Sequence, residues 1–274
     1  MPLPLLCLNH WLHLTSPEIT SASASASAPA SDAPAPPAAL LPPPAVTPVV
    51  ATGWLHTAKF LTSAPQLQHL PTHDWPEIAF VGRSNAGKST CINTLTQQKQ
   101  LAFASKKPGR TQHINLFTLG KQGVTDAILA DLPGYGYAAV PKQEKLRWQQ
   151  VMANYLMSRE NLRGVVMLCD PRLGLTELDE ILLDVIRQRI ADGLKLLVLM
   201  TKADKLTRSE AAKALSIAKL QTAGGQVQLF SAPKRIGIDE ASLVLWHWAH
   251  PPGAPTQTPS QTASQAPAET PTPT

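Results

Sequence analysis

Cysteine is scarce in this chain of 274 residues: Cys7, Cys91 and Cys169 are the only three, and none has C-x-x-C spacing. That excludes a disulfide framework and a zinc ribbon, and it fits small core side chains in a reducing, cytoplasmic setting. Lysine and arginine are missing before residue 51 and after residue 250. With no basic start, and with His, Asn and Pro breaking up its apolar residues, the opening of the chain does not read as a signal peptide. No run approaches the ~18 apolar residues that span a membrane. The eight histidines are scattered, and their spacing with Ser and Asp suggests neither a catalytic triad nor a metal cluster.

The two ends hold low-complexity sequence instead. Residues 21–48 are Ser-Ala repeats passing into Pro-Ala, and residues 251–274 are mostly Pro, Thr, Gln and Ala. Neither carries enough apolar surface to offset chain entropy, so both are expected to be disordered. This divides the chain into an extension over 1–50, one domain over 51–250 and a tail over 251–274. All 24 Lys and Arg lie in the central segment, while Glu18, Asp32 and Glu269 of the 19 acidic residues lie outside it. The centre therefore carries a net charge of +8, against +5 for the whole chain.

Within that segment, Gly82-Arg83-Ser84-Asn85-Ala86-Gly87-Lys88-Ser89 fits G-x-x-x-x-G-K-[ST] and follows the apolar run Ile78–Val81. Strand, glycine turn and helix start are the context in which this phrase is a phosphate-binding loop. Backbone N–H groups and the positive helix end face the phosphates, Lys88 reaches the β/γ oxygens, and the Ser89 hydroxyl meets Mg²⁺.

A second phrase, Asp131-Leu132-Pro133-Gly134, follows the apolar run Ala127–Ala130. Alone, D-x-P-G is also an ordinary turn. Downstream of a P-loop it reads as a γ-phosphate sensor, with Asp131 serving the metal shell and the Gly134 N–H approaching the phosphate unobstructed.

The third phrase selects the base. A buried-strand pattern over Leu194–Met200 ends in Thr201-Lys202-Ala203-Asp204. Guanine offers N1–H and N2–H₂ side by side to one carboxylate, whereas adenine presents an acceptor at N1, so Asp204 favours GTP over ATP. The stem of Lys202 suits the base plane, and Thr201 stands where Asn is more common. Phe230-Ser231-Ala232, after the strand Val227–Leu229, is expected to offer backbone N–H groups to the guanine O6. The polar segment Ser105–His113 reads as the first switch, with Gly109, Arg110, Thr111, Gln112 and His113 near the nucleotide and Thr111 as a hydroxyl metal ligand. Lys88, Thr111 and Gly134 form the expected catalytic set.

In order and spacing these phrases resemble the EngB family of bacterial ribosome-assembly GTPases, in the translation-factor-related class. The resemblance covers Ala58 to Ala249 and rests on PEIAFVGRSNAGKS, KPGRTQHINLF, DLPGYGYA, LMTKADKL and FSAPKRIGIDE. Departures are small: Ala86 stands where Val is usual, and Ser231-Ala232 where Ser-Ser is common. The resemblance implies a Ras-like α/β G domain with a mainly parallel six-stranded sheet, one antiparallel edge strand near His113–Leu119, and helices on both faces. It also implies GTP and GDP as ligands, slow hydrolysis, Mg²⁺ at Ser89 and Thr111, and a role in maturing the large ribosomal subunit. Ribosomal RNA and proteins are the implied partners, the chain is expected to be a monomer, and normal cell division and septation are expected to require it.

Tyr135 occupies the place where a Ras-like switch carries its water-orienting Gln, so intrinsic turnover should be slow. Asn85 has two open readings, a ligand of an activating potassium ion or a brace of the loop. Lys106, Lys107, Arg110, Lys142, Lys145 and Arg147 cluster near the switches, either as contacts to RNA phosphates or as a solvated face. Two rival functions stay open: a P-loop ATPase or kinase, and a nucleotide-gated interaction module with negligible hydrolysis.

Overall fold

The first helix, α1 (Pro48–Leu55), begins where the low-complexity run gives out, with Thr47 as its N-cap and proline at its first turn. Proline is suited to that position because its missing N–H would have no helical acceptor there. The helix crosses the boundary placed at residue 51. A computed structural model of the chain describes residues 46–102, 113–136, 142–222 and 225–251, with 142–148 described by backbone alone.

Among the described residues seven strands form one sheet: β1 (Lys59–Ala64), β2 (Glu77–Gly82), β3 (Ile114–Leu119), β4 (Ala127–Asp131), β5 (Leu162–Cys169), β6 (Lys195–Met200) and β7 (Gln226–Leu229). Their order across the sheet is β1-β3-β4-β2-β5-β6-β7. From β4 through β7 all pairings are parallel, and the buried runs of β2 and β4 are the continuous apolar segments that such strands require.

Two expectations are corrected here. The sheet has seven strands, not six, and the antiparallel strand β3 is interior. It pairs with β4 on one side and with β1 on the other, so β1 forms the edge. β1 hid in the sequence because four of its six positions are exposed, leaving no apolar alternation to read.

Helices α2 (Lys88–Leu95) and α6 (Ile238–Ala249) join α1 on one face, around Trp54, Phe80, Ile92 and Leu245. Helices α3 (Lys142–Ser158), α4 (Glu177–Ala191) and α5 (Arg208–Gln221) cover the other, around Ile128, Tyr155, Ile186 and Val198. Cys91 and Cys169 are both buried and free, and desolvation pushes both thiols up, as core side chains. Trp54 Nε1 donates to Asp126 Oδ1 at 2.8 Å, and Trp246 and His250 flank its ring. No helix among the described residues is long and apolar enough to cross a membrane.

Candidate nucleotide site

Parallel strands deliver their C-terminal ends to one rim, where the loops after β2, β4, β5 and β6 converge. After β2 the chain turns through Asn85 (φ 66°) and Gly87 (φ 97°) into α2. Such a turn folds successive N–H groups around an anion. Gly82 is constrained differently, since a Cβ there would lie 2.9 Å from Leu168 O of β5.

Lys88, at the first position of α2, is buried and pairs with Asp131 Oδ1 at the end of β4. The second oxygen, Asp131 Oδ2, is buried without a partner. A fully buried carboxylate oxygen on this rim suits a cation or one of its waters. Ser89 follows Lys88 directly. No cluster of three or more His, Cys, Asp and Glu able to hold a metal exists among the described residues. The donors at hand are thus one carboxylate oxygen and a hydroxyl, the hard oxygen set that Mg²⁺ shares with phosphates.

The Asp131–Gly134 loop is laid against the P-loop. Ser84 N–H donates to Tyr135 O at 2.8 Å, and a Cβ on Gly134 would stand 3.5 Å from Ser84 N and Cα. Leu132 and Pro133 are buried in this loop. The Tyr135 hydroxyl donates to Asp179 of α4.

At the end of β6, Thr201 is buried, and its Oγ1 lies 2.7 Å from Ala86 O and 3.1 Å from Cys169 O. Its short hydroxyl ties the base-reading loop to the P-loop. Lys202 takes a left-handed conformation (φ 55°), and its Nζ donates to Asn85 O at 3.0 Å and Asp170 Oδ2 at 3.1 Å. Arg172 grips the same carboxylate from the side, and its hydrogen bonds, with those of Lys202, hold Asp170 well below the usual carboxylate range. Ala203 is buried and bonded through its N–H to Phe230 O.

Asp204 accepts a 2.6 Å hydrogen bond from Ser231 Oγ, which is the main reason its carboxyl sits below the ordinary value. This changes the expected part of Phe230-Ser231-Ala232. Phe230 N–H donates to Met200 O and Ser231 N–H to Ile236 O, so neither is turned to a base; the Ser231 hydroxyl orients Asp204 instead. Ala232 N–H alone of the three lacks a backbone acceptor among the described residues. Phe230 is core.

The structure thus gathers Gly82–Ser89, Asp131–Gly134, Thr201–Asp204 and Ser231 at one rim. His113 is exposed beside Ser63, two residues before Asn115, which pairs with Asp131. Gly109, Arg110, Thr111 and Gln112, with Lys106 and Lys107, fall outside the described residues, as do the side chains of Lys142, Lys145, Arg147 and Trp148. Two members of the site were missed in the sequence. Asp170 carried a faint signal, an acid directly after an apolar strand, and Asp179 carried none beyond its place in the first turn of α4.

A mainly parallel sheet with a P-loop, a D-x-x-G loop and a base-reading carboxylate at one rim defines a P-loop GTPase that binds guanine nucleotides. A family model described as "50S ribosome-binding GTPase" matches residues 77–202. The probable GTP-binding protein EngB of Albidiferax ferrireducens is 77% identical over 202 residues, covering 74% of this chain and 98% of that protein. Its counterpart in Paraburkholderia phytofirmans is 48% identical over 206 residues, covering 72% and 94%. A solved probable GTP-binding protein engB shares the fold at a TM-score of 0.52 and 20% identity, covering 63% of this chain and 98% of that one. Era of Aquifex aeolicus shares it at 0.51 and 21%, covering 64% and 57%. The chain belongs to the EngB family of GTP-binding proteins.

Proposed function

We propose that this protein is a Mg²⁺-dependent GTPase of slow intrinsic turnover that assists assembly of the large ribosomal subunit, and that normal division and septation depend on it. The observation that carries the nucleotide half is Asp204, a carboxylate set by Ser231 at the end of the strand that also braces the P-loop. The ribosomal half is supported by the description of the matching family model.

In this reading the P-loop backbone and Lys88 bind the phosphates, and Asp204 takes the guanine edge. Lys88 leaves Asp131 when phosphate oxygens arrive, which frees that carboxylate for the metal shell. Ser89, Thr111 and, through water, Asp131 would hold Mg²⁺, which supplies charge neutralisation for the β/γ oxygens. Gly134 lets its N–H reach the γ-phosphate, and Thr111, outside the described residues, is the hydroxyl ligand expected from the first switch. Slow turnover follows from Tyr135, whose hydroxyl is engaged with Asp179 and so does not orient a water. Asn85 presents an exposed side chain beside the phosphates, and it remains either a potassium ligand or a brace. Equal hydrolysis rates in sodium and potassium buffers would discard the potassium role.

The working unit is the central domain acting as a cytoplasmic monomer, and it begins at α1 and not at residue 51. Co-sedimentation with purified large-subunit particles, in GTP-analogue, GDP and nucleotide-free buffers across a salt series, tests the reading. Binding favoured by the analogue and weakened by salt is the expected result. No association in any nucleotide state, with GTP binding intact, would overturn the ribosomal half.

A further inference from the structure

The nucleotide rim is one end of the sheet, and the opposite end carries a surface of different chemistry. β4 runs from Ala127 to Asp131 in the site, so the turn over residues 120–126 that precedes it lies at the far end. α2 likewise starts at the P-loop, and the segment Gln98–Leu101 beyond it comes to the same far end. There it meets the start of the edge strand β1, where Gln98 Nε2 donates to Ala58 O at 2.6 Å.

Two adjoining hollows of about 650 and 520 Å³ share Ala58, Lys59 and Gln98. Their lining includes Lys59, Lys99 and Lys121, all exposed, and contains no carboxylate. Amide side chains of Gln98, Gln100 and Gln122 stand between the lysines. Phe60 projects at the rim, 59% exposed, which is unusual for a phenylalanine. Its ring is held edge-on against the buried Phe117, with centroids 6.2 Å apart.

We propose that this end of the sheet edge, built on Phe60, Lys59, Lys99 and Lys121, is a single-stranded RNA-binding surface that works whichever nucleotide is bound. A basic groove tracks a phosphate backbone, and an exposed, pre-oriented aromatic ring stacks a base of any identity. Amides supply donors and acceptors for base edges. A β-strand from a protein partner fits less well, because the register of β1 against β3 slips between Phe60 and Thr62. A bulge at that point bends the free edge and interrupts the ladder a second strand would need. Independence from nucleotide follows from position, since the surface shares no residue with the switches. The proposal rests on the ribosome-directed reading above and adds a second point of contact with RNA to it.

Fluorescence anisotropy with a labelled single-stranded oligouridylate, using the full chain loaded with GDP and with a GTP analogue, tests it. Equal affinity in the two states is expected. Phe60→Ala should weaken binding about tenfold to a hundredfold. Phe60→Leu, which keeps apolar bulk and guards against a folding artefact, should weaken it nearly as much. Replacing Lys59, Lys99 and Lys121 together by Gln should reduce the slope of log affinity against log salt by about 2, from roughly 0.7 per phosphate on single strands.

Failure of the wild-type chain to bind the oligonucleotide, or unchanged binding in these variants, would overturn the proposal. So would a photo-crosslinker at position 60 that joins large-subunit particles through protein and not RNA. A chain that binds the oligonucleotide through these residues but never sediments with large subunits would sink the ribosomal reading and leave this surface standing.

Discussion

The Tyr135 hydroxyl donates a 2.5 Å hydrogen bond to Asp179 Oδ1, joining the residue after the D-x-x-G phrase to the first turn of α4. Asp179 Oδ2 meanwhile accepts from the Thr176 N–H and hydroxyl. Burial, and then the neighbouring carboxylate, push the phenol well above its usual range, so it remains a donor. Tyr135→Phe should therefore cost about 1–3 kcal/mol of stability, since Asp179 loses a buried partner. Turnover should stay within about twofold, because the lost hydroxyl is committed to Asp179 and does not orient a water. Chemical denaturation and single-turnover GTP hydrolysis measure the two effects, and a large rate loss at unchanged stability would place Tyr135 in the chemistry.

Asp204 and Ser231 should separate under mutation. Asp204→Ala removes both acceptors for the guanine edge and is expected to lower GTP affinity on the order of a hundredfold or more, erasing the preference over ATP. Ser231→Ala removes only the hydroxyl that steers the carboxylate, so GTP should still be preferred, with affinity lower by about tenfold. Calorimetric titration of both nucleotides distinguishes these outcomes.

A buried charge cluster beneath β2 should govern acid stability. Glu77 is fully buried and accepts from Arg159 and from Tyr155 Oη at 2.6 Å, with His73 at 2.8 Å. Desolvation alone would raise its pKa, but the bonds from His73, Arg159 and Tyr155 outweigh it and leave the folded value below the ordinary 4.5. Between those two values the unfolded chain binds the extra proton. The contribution is thus complete above about pH 4.5 and fades as pH falls through the lowered value. Glu77→Gln should cost about 3–5 kcal/mol at neutral pH and flatten the acid limb of a stability-against-pH curve. An unchanged acid limb would contradict the assignment.

Gly164 of β5 gives its space to Trp248 of α6. A Cβ built there would fall 2.1 Å from Trp248 Cε3. Gly164→Ala should destabilise by about 1–3 kcal/mol as the indole is displaced, and Trp248→Leu in the same chain should recover part of the loss. Thermal unfolding of the single and double variants provides the check.

Much of the site was legible in the sequence because its parts are local. A P-loop, a D-x-x-G turn and a T-K-x-D loop each draw their geometry from a few consecutive residues behind an apolar strand, and Gly82–Ser89, Asp131–Gly134 and Thr201–Asp204 fold accordingly. Partnerships across the chain were not legible. Lys202 with Asp170, and Tyr135 with Asp179, are separated by 32 and 44 residues, and only the parallel register of the sheet brings them together. Ser231 could be placed near the base, but its use as a hydroxyl anchor depended on its N–H being claimed by Ile236. β1 escaped notice for a related reason: an edge strand with solvent on most of its side chains has no pattern except in its pairing with β3.

Trp54 near the end of α1 and His250 just past α6 lie 5.2 Å apart, centroid to centroid. Because α1 has only eight residues, about 12 Å of helix, both ends of the folded unit leave from one neighbourhood. A short linker from His250 back to Thr47 could therefore close the chain into a ring, with new termini opened in the exposed turn at Lys121–Gly123. The same geometry puts the first and last described residues on one side of the domain.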